Sequence, residues 1–218
     1  MAGLSGTGLV ADDLYLMAHH EITGKPYLQP RALGLGLAGG LLAELMLEGS
    51  ISLRHDGVVV AGRTLPGDGL ACHVRGLVAA EHEPHPARDW LLFVARTAAG
   101  DVARRLERSG YVTRASGRGP WRAGRWVPVD ADSAFAPMLR GRSALDATRP
   151  LSVNGAALAG LATACGLGYR LAEYAPPRTG RSLEETVAQL GPALRELIAQ
   201  TQTQTQAAVD GALLSHRV

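Results

Sequence analysis

Aromatic residues, lysine and cysteine are all scarce in this chain. Aromatics make up 5% of the residues although hydrophobic types make up 46%, so the interior has to be built from Leu, Ala and Val. That balance favours packed helices over a β-sandwich, whose strands draw on β-branched and aromatic side chains. The only cysteines, Cys72 and Cys165, are far apart and lie in apolar surroundings, which argues against a disulfide framework and for buried free thiols. The longest apolar run, Leu33 to Leu47, is interrupted by glycines and Glu44 and falls short of the roughly 18–20 residues that span a bilayer. No basic start followed by an apolar segment precedes it. The expectation is a cytoplasmic protein that meets membranes peripherally.

Signatures of catalysis are also missing. There is no Gly-x-Ser-x-Gly elbow, and the glycine-rich stretches lack a Walker lysine and a preceding strand. His82-Glu83-Pro84-His85 has the residue types of a metal site, but its prolines break the spacing that would put both rings on one helix face. Asp12 and Asp13 invite an acid–base reading, yet neighbours on a helix point about 100° apart, and both suit the start of a helix. Neither an enzyme nor a metal or other cofactor is expected.

What the chain does have is a glycine-rich helical block, Gly36 to Gly49, leading directly into Ile51-Ser52-Leu53. Glycines inside an apolar helix usually let a neighbouring backbone approach closely, so this block reads as the central packing element. A helix opens at Asp12-Asp13 and ends at Gly24-Lys25-Pro26, and Pro30 starts the long helix that runs to about Glu48. Residues 51–53 and 58–60 read as a hairpin with Asp56-Gly57 in its turn. Helices follow over about 69–83, 87–96 and 101–109, the last closed by Gly110. Residues 111–114 and 125–129 form two strands around an exposed loop, and helices cover 132–143 and 151–165. A final helix starts near Leu183, and its apolar stripe is interrupted by the Thr-Gln repeat at 201–206, where a weaker grip is expected. The result is one mainly α domain around a buried helix, with small β-hairpins.

The net charge is only +2, but from Arg96 to Trp126 eight arginines face two acids. Arginine forks suit phosphate, and tryptophan suits the headgroup depth of a bilayer. The loop bearing Arg118, Trp121, Arg122, Arg125 and Trp126 is therefore a candidate for contact with a membrane or with another protomer, each basic residue contributing on the order of 1 kcal/mol at an anionic surface. A solvated loop with Trp126 in the core would carry the same residues. The segment also fits a winged helix for nucleic acid, with Arg104, Arg105 and Arg108 on the recognition helix and Arg118 and Arg122 in the wing.

Leu9 to Leu16, Gly24, the Gly36–Gly49 block and Arg104 to Val112 occur together in an order and spacing that resembles the Golgi phosphoprotein 3 family, collinear from about Leu9 to the end of the chain. The resemblance implies a mainly helical fold and a peripheral membrane protein that binds phosphatidylinositol 4-phosphate. The family's headgroup pocket consists of one tryptophan and three arginines, which fall here on Gln29, Ala38, Arg96 and Ala99. Only Arg96 matches, so specific recognition of the 4-phosphate is in question, and Arg31, Arg104 and Arg105 are the neighbouring cations that would substitute. The family's eukaryotic members are adaptors for cytosolic tails of Golgi glycosyltransferases and use a β-hairpin in self-association, which implies protein cargo and homo-oligomer contact through residues 111–129.

Overall fold

The computed structural model describes residues 7–62, 65–115, 125–173 and 180–215. Among them are ten helices and two antiparallel two-stranded ribbons. Helix α1 spans Val10–Met17 and is buried on every side. Helix α2, Pro30–Leu47, begins with a proline at its first position and is buried from Ala32 to Leu45. It is 18 residues long with a mean hydropathy of 1.3, enough by length and composition to cross a bilayer, which corrects the sequence expectation. Since 78% of it is buried in the fold, α2 is the core helix around which α1, α4, α5, α7 and α10 gather.

Strands β1 (Ile51–Arg54) and β2 (Gly57–Val60) pair with Ile51 opposite Val60 and Arg54 opposite Gly57. The turn is therefore centred on His55-Asp56, inside the expected connection between residues 53 and 58, with Gly57 at φ 138° opening β2. Helix α3 (Gly69–Ala80) is capped by Asp68, whose carboxylate accepts from the Ala71 N–H at 2.9 Å. Helices α4 (Ala87–Val94) and α5 (Ala98–Arg108) meet at a tight corner, and strands β3 (Val112–Arg114) and β4 (Trp126–Pro128) follow. The chain then forms α6 (Ala131–Ala144), α7 (Val153–Ala164), α8 (Gly168–Glu173), α9 (Leu183–Ala188) and α10 (Pro192–Ser215).

Four features depart from the sequence reading. Helix α8 was not anticipated, and the C-terminal helix is two helices because Gly191-Pro192 stops one and starts the next. The Thr-Gln repeat does not loosen α10. Thr201 and Thr205, one turn apart, are buried, and each hydroxyl donates at 2.8 Å to the carbonyl four residues back, Leu197 and Thr201 respectively. Of the cysteines, Cys165 is buried, whereas Cys72 is half-buried with its thiol donating to the Pro66 carbonyl at 3.0 Å; both are free thiols.

The glycines of α2 act as the composition implies. A Cβ at Gly40 would lie 2.8 Å from the Ala11 Cα, and one at Gly34 would lie 2.6 Å from the Ala95 carbonyl oxygen. Helices α1 and α4 therefore sit on α2 backbone to backbone. Gly40→Ala is expected to destabilise the protein by about 1–3 kcal/mol, because the overpacking outweighs the roughly 1 kcal/mol gain in helix propensity. A lower urea midpoint at constant m checks it.

An ion cluster lies within this core. Arg105 of α5, 3% exposed, donates to Asp12 of α1 (2.8 Å), to both carboxylate oxygens of Glu44 of α2 (3.0 and 3.1 Å) and to Asp68 at the start of α3 (2.9 Å). Glu44 also accepts the Ala11 N–H at 2.7 Å. Asp13, equally buried, is paired to Arg140 of α6 at 2.6 Å and takes a hydrogen bond from Thr7. Asp12 and Asp13 are thus interior ligands of arginines rather than solvent-facing charges at a helix start. Burial pushes Glu44 up to about 7 and Asp12 up to about 6, against the pull of Arg105. Between their unfolded values and these, the native state holds more protons than the unfolded chain, so their contribution is full below about pH 4 and declines as pH rises toward 7. The melting temperature is expected to fall from pH 5 to pH 8, with a shallower slope in Glu44→Gln, as measured by calorimetry at constant ionic strength.

Candidate functional site

Arg96 lies on the corner where α4 turns into α5. Its N–H donates to the Phe93 carbonyl at 3.3 Å, and its guanidinium stands 5.8 Å from the centre of the Phe93 ring. Both side chains are exposed, Phe93 by 47%. Behind them a cleft of about 430 Å³ runs between α3 and α4, with Leu77, Ala80 and Trp90 among its apolar walls and Glu81, His85 and Asp89 on its rim. The Trp90 ring meets Phe93 edge-on at 6.1 Å.

The first turn of α2 reaches the same corner. Gly34 packs on the Ala95 carbonyl, and Arg31, one turn earlier on the helix, is exposed. One turn is about 5 Å of rise, so Arg31 and Arg96 belong to one end of the molecule. Gln29 caps α2 in extended conformation with no side-chain hydrogen bond to the helix, leaving first-turn N–H groups at an exposed, electropositive helix start. At the remaining family positions, Ala38 is completely buried and Ala99 is half-buried.

The other cations divide. Arg104 is exposed and paired to Asp101 on its own helix. Arg105 is not available to a headgroup: its fork is occupied by Asp12, Glu44 and Asp68 in the interior, which corrects its assignment as a candidate ligand. The same fact removes the basis of the winged-helix reading, which needs Arg104, Arg105 and Arg108 exposed on one face. In the hairpin, Arg125 is half-buried and its carbonyl accepts the Ala115 N–H at 2.8 Å. Trp126, also half-buried, is covered by the Arg114 guanidinium at 4.0 Å from its ring centre. Arg118, Trp121 and Arg122 lie outside the described residues.

The hairpin and the arginine corner are linked through a segment that sequence reasoning passed over, the loop between α1 and α2. Gly24, at φ 61°, lies so close to the Trp126 carbonyl that no side chain fits between them, and ten residues further on Gly34 touches the Ala95 carbonyl. The loop's glycine is visible in the sequence, but its partner 102 positions away is not. Among the described residues no group of three or more His, Cys, Asp or Glu side chains is placed to hold a metal ion.

A mainly helical domain around one buried glycine-rich helix, with two small β-hairpins, is the class defined here. The family model described as Golgi phosphoprotein 3 (GPP34) matches residues 10–201, most of the chain, and the protein belongs to that family. No curated protein matches it.

The contrast between neighbouring arginines is measurable. Arg105→Ala leaves buried carboxylates unpaired and is expected to cost about 3–5 kcal/mol, whereas Arg104→Ala removes only a surface pair and should stay within about 0.5 kcal/mol in urea unfolding.

Proposed function

We propose that this protein is a non-enzymatic, reversible binder of anionic membrane lipid at the cytoplasmic face of a membrane, using no cofactor. The observation that carries the reading is the segment from Gly24 to Gly34, which touches the hairpin base at one end and the Arg96 corner at the other. That segment, which includes the exposed Arg31, connects the Arg114–Trp126 pair of the hairpin base to the Arg96 corner along the chain. Arg96 takes a headgroup phosphate through its fork, the open start of α2 adds electropositive N–H groups, and the hairpin arginines supply Coulombic attraction.

Phosphatidylinositol 4-phosphate is the lipid that family membership brings forward. Because Gln29, Ala38 and Ala99 stand at three of the family's headgroup positions, the present arrangement suits anionic headgroups in general better than one stereoisomer. Burial of Ala38 supports this, since a long cation there would have to pass through packed core. An adaptor role toward protein cargo and self-association through the 111–129 hairpin complete the reading. A nucleic-acid role is not favoured, because Arg105, one of the three arginines it needs outward, is buried among carboxylates.

Co-flotation with liposomes tests it. Vesicles with 20–30% anionic lipid are expected to carry the protein to the top of the gradient at low salt, and neutral vesicles are not. Arg96→Ala and a variant lacking Arg118, Arg122 and Arg125 should each weaken recovery several-fold. Selective flotation with phosphatidylinositol 4-phosphate over other anionic lipids, lost in Arg96→Ala, would restore specific recognition. No flotation with any vesicle overturns the lipid reading.

A further inference from the structure

We propose that the loop between α1 and α2 is a second membrane-inserting element, with Ile22 as its wedge and Tyr27 and Tyr169 as its interfacial belt. The inference rests on the membrane reading above and names a part of the surface which that reading does not need. Ile22 is 69% exposed, the most exposed of the large hydrophobic side chains among the described residues. An isolated exposed aliphatic residue is ordinary, but this one has a setting. Next to it His20 stacks on Tyr27 at 6.3 Å, and the Arg170 guanidinium covers the Tyr27 ring at 4.0 Å. Tyr169, 61% exposed, is close enough to influence Tyr27 electrostatically, and Lys25 is exposed at the loop's end. An aliphatic tip flanked by tyrosines and cations has the order of groups met on descending through headgroups into acyl chains.

The backbone of the loop is prepared for such a position. Ile22 and Thr23 donate their N–H groups to Nδ1 of His20 (3.2 and 3.4 Å), Gly24 to the His20 carbonyl (2.9 Å), Lys25 to the Thr23 hydroxyl (3.4 Å) and Tyr27 to the Ala18 carbonyl (2.8 Å). Pro26 has no N–H, so every backbone N–H from Ile22 to Tyr27 has a partner. Insertion of the tip then leaves none of these backbone N–H groups unpaired, which lowers the cost of placing irregular backbone at the membrane. The acid of the loop, Glu21, accepts from the Tyr27 hydroxyl at 3.5 Å and lies 4.0 Å from His20. The loop is also anchored rather than loose. Arg170, 9% exposed, ties α8 to the Met17 carbonyl at 2.8 Å, and Gly24, two residues from Ile22, sits against the Trp126 carbonyl at the hairpin base.

The experiment places a fluorophore at the tip. Ile22→Cys, in a Cys72→Ser, Cys165→Ala background whose fold is checked by circular dichroism, is labelled with an environment-sensitive dye, and the same is done at Leu65, which is 66% exposed ahead of α3. On addition of anionic vesicles the dye at position 22 is expected to brighten and shift to the blue, with quenching by lipids labelled in the upper acyl chain, while the dye at position 65 stays unchanged. Unlabelled Ile22→Asp should lower vesicle partitioning about tenfold, and Leu65→Asp should leave it within twofold. If the protein floats with vesicles but the dye at 22 is silent, or both aspartate variants lose binding alike, the loop proposal falls while the membrane reading stands. If the wild-type protein does not float at all, both fall. A dimer without vesicles that Ile22→Asp dissociates would assign the surface to a second copy and overturn the proposal.

Discussion

A single guanidinium holds the parts of this fold in register. Arg105 joins α1, α2, the start of α3 and α5 through three carboxylates, and all but Asp68 are nearly excluded from water. Burying a charge is tolerable only when its partners and remaining hydrogen bonds are complete. Here they are: both oxygens of Glu44 are used by the fork, and one also serves the Ala11 N–H. The cost of leaving any partner alone makes the arrangement nearly all-or-none, so the four elements have one relative placement. Replacing the whole cluster with apolar residues would be far less disruptive than removing one member of it.

The second constraint is close approach. Because α2 lacks side chains at Gly34 and Gly40, the α4–α5 corner and α1 rest against its backbone, and interaxial distances shrink accordingly. This is what brings Arg96 beside the open start of α2. The tilt of the corner is a packing outcome, and the exposed pair Arg96 and Phe93 is presented outward because Trp90, Leu91 and Val94 take the inward face of α4. The outward placement of Arg96 and Phe93 is thus a consequence of how the core packs.

Helix positions were largely legible from the residues, since Pro30 and Gly110 mark boundaries by local chemistry. The register of the first hairpin, with Leu53 opposite Val58, is the one its expected strands 51–53 and 58–60 imply, and the pairing extends by one residue on each side. Arg105 illustrates the deeper limit. In sequence it is one of three basic residues on a polar, amphipathic helix, and nothing in its neighbourhood separates it from Arg104. Its role depends on acids 37, 61 and 93 positions away. Likewise the Thr-Gln repeat looks like a breach in an apolar stripe, yet threonines one turn apart can turn their hydroxyls onto the preceding carbonyls and enter the core.

Composition and periodicity alone therefore determined that this is a helical domain built on a glycine-rich central helix, because those properties depend on residue spacing within one or two turns. The family follows from the order of such segments along the chain. Which arginines face the interior and which face outward, and that the α1–α2 loop lies between the hairpin and the arginine corner, were decided only by tertiary structure. Charge pairing and backbone contact act between residues remote in the chain, and local sequence carries no record of which distant group will arrive.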